Sequence, residues 1–149
     1  MERSLVLIKP DGVQRGLMGT IISRFENRGM KLIAAKFLMV PRELAEKHYA
    51  VHEGKQFYDS LIARITSSPV LALAWEGPQI ISFIRQTVGV TNPANAAPGT
   101  IRHDLGMTSE FNLVHASDSP ENGVLEIALW FKPEELVSWQ QDSDHWLHL

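Results

Sequence analysis

Val70-Leu71-Ala72-Leu73-Ala74-Trp75 runs without a polar side chain between Ser67-Ser68-Pro69 and Gly77-Pro78. An unbroken apolar run of that length, closed at both ends by turn formers, reads as a central strand covered on both faces. The flanking segments have another period. Phe57, Leu61, Ile62 and Ile65 before it, and Ile80, Ile81, Ile84 and Val88 after it, recur at three- and four-residue intervals and predict helices. Further out, Leu5-Val6-Leu7-Ile8, closed by Pro10-Asp11-Gly12, reads as a second buried strand, and residues 31–40 as a third. Between them Leu17, Ile21, Ile22 and Phe25 mark a helix with Gly29 as its stop. Pro41 suits the first turn of another, with Glu43 and Lys47 as an i,i+4 pair. Leu113-Val114-His115 predicts a short strand in which Leu113 and His115 share one face and Val114 takes the other. Ser119-Pro120-Glu121 offers a cap, a proline at the first helical position and an acid in the first turn. That helix is expected to reach about residue 131, and Pro133-Glu134-Glu135-Leu136 to start a last short one. Strand, helix, strand, helix, helix, strand, helix, loop, strand, helix is the order of an α+β sandwich, with helices on an antiparallel or mixed sheet.

The pattern stops between residues 89 and 110, where prolines and glycines recur without a period. A stretch that long is expected to be a binding loop or disordered. The 149 residues predict one domain, 1–149, with a polar tail from about 140. A chain of this size buries roughly 68–70% of its unfolded surface, enough for a core without staples. No cysteine is present, which excludes disulfides, thiolate metal sites and a thiol nucleophile. Fourteen basic residues against 17 acidic ones give a net charge of −3, which argues against stable nucleic-acid binding and against an anionic membrane surface. No secretory leader or membrane span is visible, so a soluble, cytoplasmic protein is expected.

Few residues carry obvious chemistry. Gly12, Gly16 and Gly19 fit neither phosphate-loop spacing and read as glycines easing a turn. His48 and His52, and His145 and His148, are close enough in sequence to share a metal, but each pair lacks a third ligand. Surface histidines are the simpler reading. His115 differs, because Asn112, Ser117 and Asp118 surround it where a short strand gives way to a helix. A Ser117–His115 acyl-transfer pair lacks the Gly-x-Ser-x-Gly elbow. The imidazole could itself be the nucleophile, since one ring nitrogen keeps a lone pair at neutral pH. Phosphoryl transfer to it needs cations, and Lys9, Arg85 and Arg102 are the candidates.

Four segments together resemble nucleoside diphosphate kinases. They are Ile8-Lys9-Pro10-Asp11-Gly12-Val13-Gln14-Arg15-Gly16, Thr91-Asn92-Pro93 with Pro98-Gly99-Thr100-Ile101-Arg102, Asn112-x-x-His115-x-Ser117-Asp118, and Leu129-Trp130-Phe131-Lys132-Pro133-Glu134-Glu135-Leu136. The resemblance implies a ferredoxin-like sandwich with a four-stranded antiparallel sheet. It implies ping-pong transfer of the γ-phosphate of a nucleoside triphosphate, mainly ATP, to a nucleoside diphosphate through a phosphohistidine at His115. Glu126 matches the carboxylate that orients that ring, Ser117 a serine bonded near it, and Tyr49 a tyrosine close to the imidazole. Lys9 and Asn112 match residues at the sugar 3′-hydroxyl and its neighbouring phosphate. Arg85, Thr91 and Arg102 match the phosphate clamp, Phe57 the ring under the base, and His52 a phosphate-touching histidine of some members. Mg²⁺ is expected on the nucleotide phosphates rather than in a protein metal site, and broad base tolerance with it. A homohexamer is implied, with a homotetramer as the alternative. Ala116, His103, Glu110-Phe111 and Asn122-Gly123-Val124-Leu125 depart from the usual pattern.

Overall fold

The computed structural model describes residues 1–148; Leu149, the end of the predicted tail, lies outside them. In chain order the elements are β1 (Glu2–Ile8), α1 (Pro10–Gln14), α2 (Met18–Asn27), β2 (Lys31–Leu38), α3 (Arg42–His48), α4 (Tyr58–Ile65), β3 (Val70–Gly77), α5 (Ile80–Val88), α6 (Ile101–Leu105), β4 (Val114–Ala116), α7 (Pro120–Trp130) and α8 (Asp144–Leu147). The strands form one sheet in the order β2-β3-β1-β4, every neighbouring pair antiparallel. The 70–75 run is indeed central, as strand β3, and the expected α+β sandwich of ferredoxin-like type is the architecture found.

Alternation along the strands sends side chains to two apolar layers. Val6, Ile8, Leu73, Trp75 and Val114 pack with Ile21, Phe25, Ile84 and Val88 from α2 and α5. Leu5, Leu7, Ala72 and Ala74 pack on the other face with Ala45, Ile62, Ile65, Ile127 and Trp130 from α3, α4 and α7. Each fully buried Leu or Ile among them contributes about 1.5–3 kcal/mol. The layer under α7 leaves no room for a side chain at one point, since a Cβ on Gly123 would run into the Arg3 carbonyl of β1.

The local signals hold where they rest on caps. Ser119 Oγ accepts from Asn122 N, the Glu43–Lys47 pair forms at 3.2 Å, and Gly29 ends α2 with φ 91°. Three expectations need correction. Pro10-Asp11-Gly12 is the start of a short helix rather than a closing turn, because proline fixes the φ a helix needs at its first position. The stretch 89–110 is not structureless: a 3-10 turn over Pro93–Asn95 and α6 lie within it, capped by the side chains of Asn92 and Thr100. Both are too short to show a period. Leu113 lies outside β4 altogether.

Candidate active site

The sheet register places the reacting group. β4 lies at the sheet edge, and Leu7 faces His115 across the β1–β4 ladder, so both point to the layer of α3, α4 and α7. Glu126, on α7, meets the ring there. His115 Nε2 lies 3.0 Å from Glu126 Oε1, and Ser117 Oγ donates to the same oxygen at 2.6 Å. Ser117 is fully buried and accepts Leu5 N at 3.0 Å, which ties the carboxylate to β1. Burial opposes the charge on Glu126, but the hydrogen bonds from His115 and Ser117 outweigh it and hold its pKa below the usual value. A carboxylate accepts, so Nε2 carries the proton and Nδ1 keeps the lone pair.

A second set of groups is gathered by a corner before β4. Leu113 takes φ 76°, and Val114 N bonds Asn112 O at 2.9 Å across it, a left-handed γ-turn. Such a backbone is strained and persists only where neighbours over-determine it. Here Asp11 Oδ2 accepts Leu113 N at 3.0 Å and Lys9 N donates to Leu113 O at 2.8 Å. The expected shared strand face of Leu113 and His115 is therefore wrong; Val114 alone behaves as predicted. The turned Asn112 accepts from Lys9 Nζ and donates to Thr91 O at 3.0 Å. Burial, partly opposed by Asp11, pushes the Lys9 pKa down to about 8.

Arg102 is only 7% exposed. Its guanidinium donates to Val114 O at 2.7 Å, Gly89 O at 3.0 Å and Asn112 O at 3.3 Å, and burial together with nearby Arg85 lowers its pKa to about 10. Arg85 reaches Ala116 O at 3.4 Å.

Ten of the residues that the resemblance assigns to the site line one cleft of about 700 Å³: Lys9, Tyr49, His52, Phe57, Arg85, Thr91, Arg102, Asn112, His115 and Glu126; Ser117 lies buried behind it. Phe57 is half exposed at the mouth, with the His52 ring edge-on to it at 5.2 Å and 60°. Tyr49 stands edge-on to His48 at 4.8 Å, and burial raises its pKa to about 12.

His48 is the residue the sequence reading misplaced. It is no surface histidine but stands 4.5 Å from His115, ring to ring at 81°, accepting Trp130 Nε1 at 3.1 Å. The signal that could have found it lies in Trp130, a buried indole whose N–H needs an acceptor. Asp11 belongs to the first motif, but nothing local to it points to its bond with Leu113 N. His48, His115 and Glu126 each bring a ligand atom within 4.8 Å of the others. Within that cluster Glu126 Oε1 is engaged by His115 Nε2 and Ser117 Oγ, and His48 Nδ1 by Trp130 Nε1.

A cleft that sets a lone-pair nitrogen among a lysine and two arginines, with an aromatic ring at its mouth, is built for a phosphate ester carrying a flat group. The family model described as nucleoside diphosphate kinase matches residues 2–136. A nucleoside diphosphate kinase of Symbiobacterium thermophilum is 57% identical over 147 residues, spanning 99% of this chain and 97% of the relative. The crystal structure of a nucleoside diphosphate kinase family protein from Babesia bovis superposes with a TM-score of 0.97 at 47% identity, over 99% of this chain and 100% of that one. A halophilic nucleoside diphosphate kinase from Halobacterium salinarum, in complex with CDP, does so with a TM-score of 0.96 at 47% identity, over 99% of each chain. The chain belongs to the nucleoside diphosphate kinase family and is an enzyme of that kind, a nucleotide-binding phosphotransferase.

Proposed function

We propose that the enzyme works by a ping-pong reaction through a phosphohistidine at His115. One observation carries this reading: Glu126 holds Nε2, so the ring's nucleophilic Nδ1 is left for a substrate in the cleft. In the first half-reaction the Nδ1 lone pair attacks the γ-phosphorus. The bond to the bridging oxygen breaks, and the nucleoside diphosphate leaves with the electron pair. The Nε2 proton stays on the ring, where Glu126 stabilises the positive charge that phosphorylation creates. In the second half-reaction a terminal oxygen of the acceptor diphosphate attacks the same phosphorus and the N–P bond breaks.

Arg85, Arg102 and Lys9 meet the charge on the transferring group, with Thr91 and His52 as further phosphate contacts. Lys9 and Asn112 are assigned to the sugar 3′-hydroxyl. Phe57 offers a π-face that reads little of the base edge, which predicts broad base tolerance with ATP as the main donor. The CDP held by the Halobacterium relative supports a pyrimidine diphosphate as one acceptor. Mg²⁺ would enter with the nucleotide and neutralise part of the phosphate charge. Of the cleft carboxylates, Glu126 is engaged by His115 and Ser117, and Asp118 accepts Asn122 Nδ2 at 2.6 Å, so no carboxylate pair is set to cage a hard cation. A homohexamer, with a homotetramer as the alternative, is the assembly we assign; sedimentation velocity distinguishes them.

Incubation with γ-labelled ATP is expected to place acid-labile label on His115, and initial rates against both nucleotides to give parallel double-reciprocal lines. Label elsewhere, or undiminished transfer by His115→Ala, overturns the reading.

A further inference from the structure

We propose that His48 is a positioning residue for the reacting imidazole: a ring fixed by Trp130 that stands edge-on against His115 and stops it from pivoting away from the phosphate clamp. The proposal rests on His115 being the nucleophile.

An imidazole held at Nε2 alone can still swing about that single hydrogen bond. The partner that limits the swing is His48, 4.5 Å away and nearly perpendicular at 81°. Its own orientation is not free. Trp130 Nε1 can only donate, so His48 Nδ1 presents a lone pair and the neutral ring's proton sits on Nε2. Tyr49 closes another side at 4.8 Å and 72°, and the Trp130 ring at 5.4 Å and 86°. His48 is thus boxed by aromatic contacts, and only one of them is the group that reacts. Trp130 and Glu126 belong to the same helix, α7, which therefore sets both restraints on His115 at once: one through a carboxylate, the other through a ring.

The charge state of His48 agrees with this role. The ionisable groups acting on it are His115, Glu126, Lys9 and His52; burial dominates them and pushes its pKa down to about 3. A neutral ring adds no positive charge next to an imidazole that becomes cationic on phosphorylation, and does not compete with Arg85 and Arg102 for the phosphate. A protonated one would do both.

The test is rapid-quench formation of phosphohistidine from Mg·ATP, with nucleotide affinity measured in parallel, on the full-length enzyme and its His48→Ala and His48→Phe variants. The alanine variant is expected to slow phosphorylation of His115 about 10–100-fold, the cost of loose positioning, with nucleotide affinity unchanged. The phenylalanine variant restores a ring without the acceptor and is expected to recover most of the rate despite a lower Tm. A wild-type rate in His48→Ala overturns the proposal, and so does a His48→Phe no faster than His48→Ala. An independent reading needs no variant: in ¹⁵N spectra His48 should remain the neutral Nε2–H form from pH 5 to 8, and titration in that window overturns the proposal. If the unsubstituted enzyme forms no phosphate on His115, the phosphohistidine reading itself fails and takes this one with it.

Discussion

His115 stands on a strand paired to β1, and its partners Glu126 and His48 arrive on helices that pack over an apolar face. Arg102 reaches the same cleft from a stretch whose only regular pieces are a 3-10 turn and a five-residue helix. Ile101 and Leu105 seat its helix on the layer of α2 and α5, but the guanidinium itself is oriented by three backbone carbonyls, those of Gly89, Asn112 and Val114. The nucleophile can therefore be removed with little harm to the fold, because the hydrophobic layer beneath it remains. Removing the cation costs more, because its guanidinium ties three carbonyls of that segment and its neighbours together.

That difference predicts a crossover, and it is the largest effect expected. His115→Ala should abolish transfer while urea unfolding shifts by about 1 kcal/mol or less, the ring being partly exposed. Arg102→Met should cost about 2 kcal/mol or more, because the Gly89 and Val114 carbonyls lose this donor and a buried carbonyl left without one costs about 1–3 kcal/mol. Lysine should rescue little of this, since one ammonium cannot reproduce the fork. If Arg102→Met unfolds at the same urea concentration as His115→Ala, the contrast between the two regions is broken.

The contrast also explains which parts of the molecule were legible. Strands β1 and β3 and helix α5 are written as apolar periods, and burial of those residues enforces the pattern. β4 was placed one residue early because the conformation of Leu113 is imposed by Asp11, 102 positions away, and no local rule encodes it. His48 looked like a surface residue for the same reason: its determinant is Trp130, 82 positions along the chain. The caps Asn92 and Thr100 were visible as residue types, but the helical pieces they start are too short to confirm them by period. The site residues themselves were found through the resemblance of four motifs, not through periodicity, since polar groups converging from distant segments leave no repeat.

Glycine substitutions sharpen the same comparison. A methyl at Gly123 meets the Arg3 carbonyl, so Gly123→Ala must push α7 away from β1 and should cost about 1–3 kcal/mol. Because α7 carries Glu126 and Trp130, activity should fall with it. Gly99, in the irregular stretch, has open space but φ 94°, so Gly99→Ala meets only backbone strain and should cost about 1–2 kcal/mol. Differential scanning calorimetry beside kcat separates the cases: Gly123→Ala lowers both, and Gly99→Ala lowers Tm alone. Equal losses of activity would show that the two regions transmit packing errors alike.

Lys9 bridges the regions, since it ends β1 yet bonds Asn112. Burial lowers its pKa to about 8, so the two consequences of raising pH have opposite signs. Stability should rise between pH 8 and the unfolded value of 10.5, as the enclosed charge is lost. Nucleotide KM should climb over the same range, by up to about tenfold per pH unit, as the phosphate loses its cation. Lys9→Arg should stay charged and flatten the KM profile, whereas a wild-type profile flat to pH 10 would mean that Lys9 does not contact phosphate.

The smallest effect is expected at the outer tether of the irregular stretch. Arg24 on α2 donates to Gly99 O at 2.9 Å and pairs with Asp104 at 3.0 Å, and Asp104 accepts Gly99 N at 3.0 Å. These groups are partly exposed, so solvent screens them and the pair is worth about 0–1 kcal/mol. Arg24→Ala should therefore move Tm only slightly, and the shift should shrink further in 0.5 M salt. If polar ties rather than packing set the position of Arg102, even this weak tether should appear as a modest rise in nucleotide KM at low salt, with the rate of His115 phosphorylation at saturating nucleotide unchanged. A loss of that rate with KM constant would place the tether's influence on the nucleophile, and the two regions would then have to be treated as one cooperative unit.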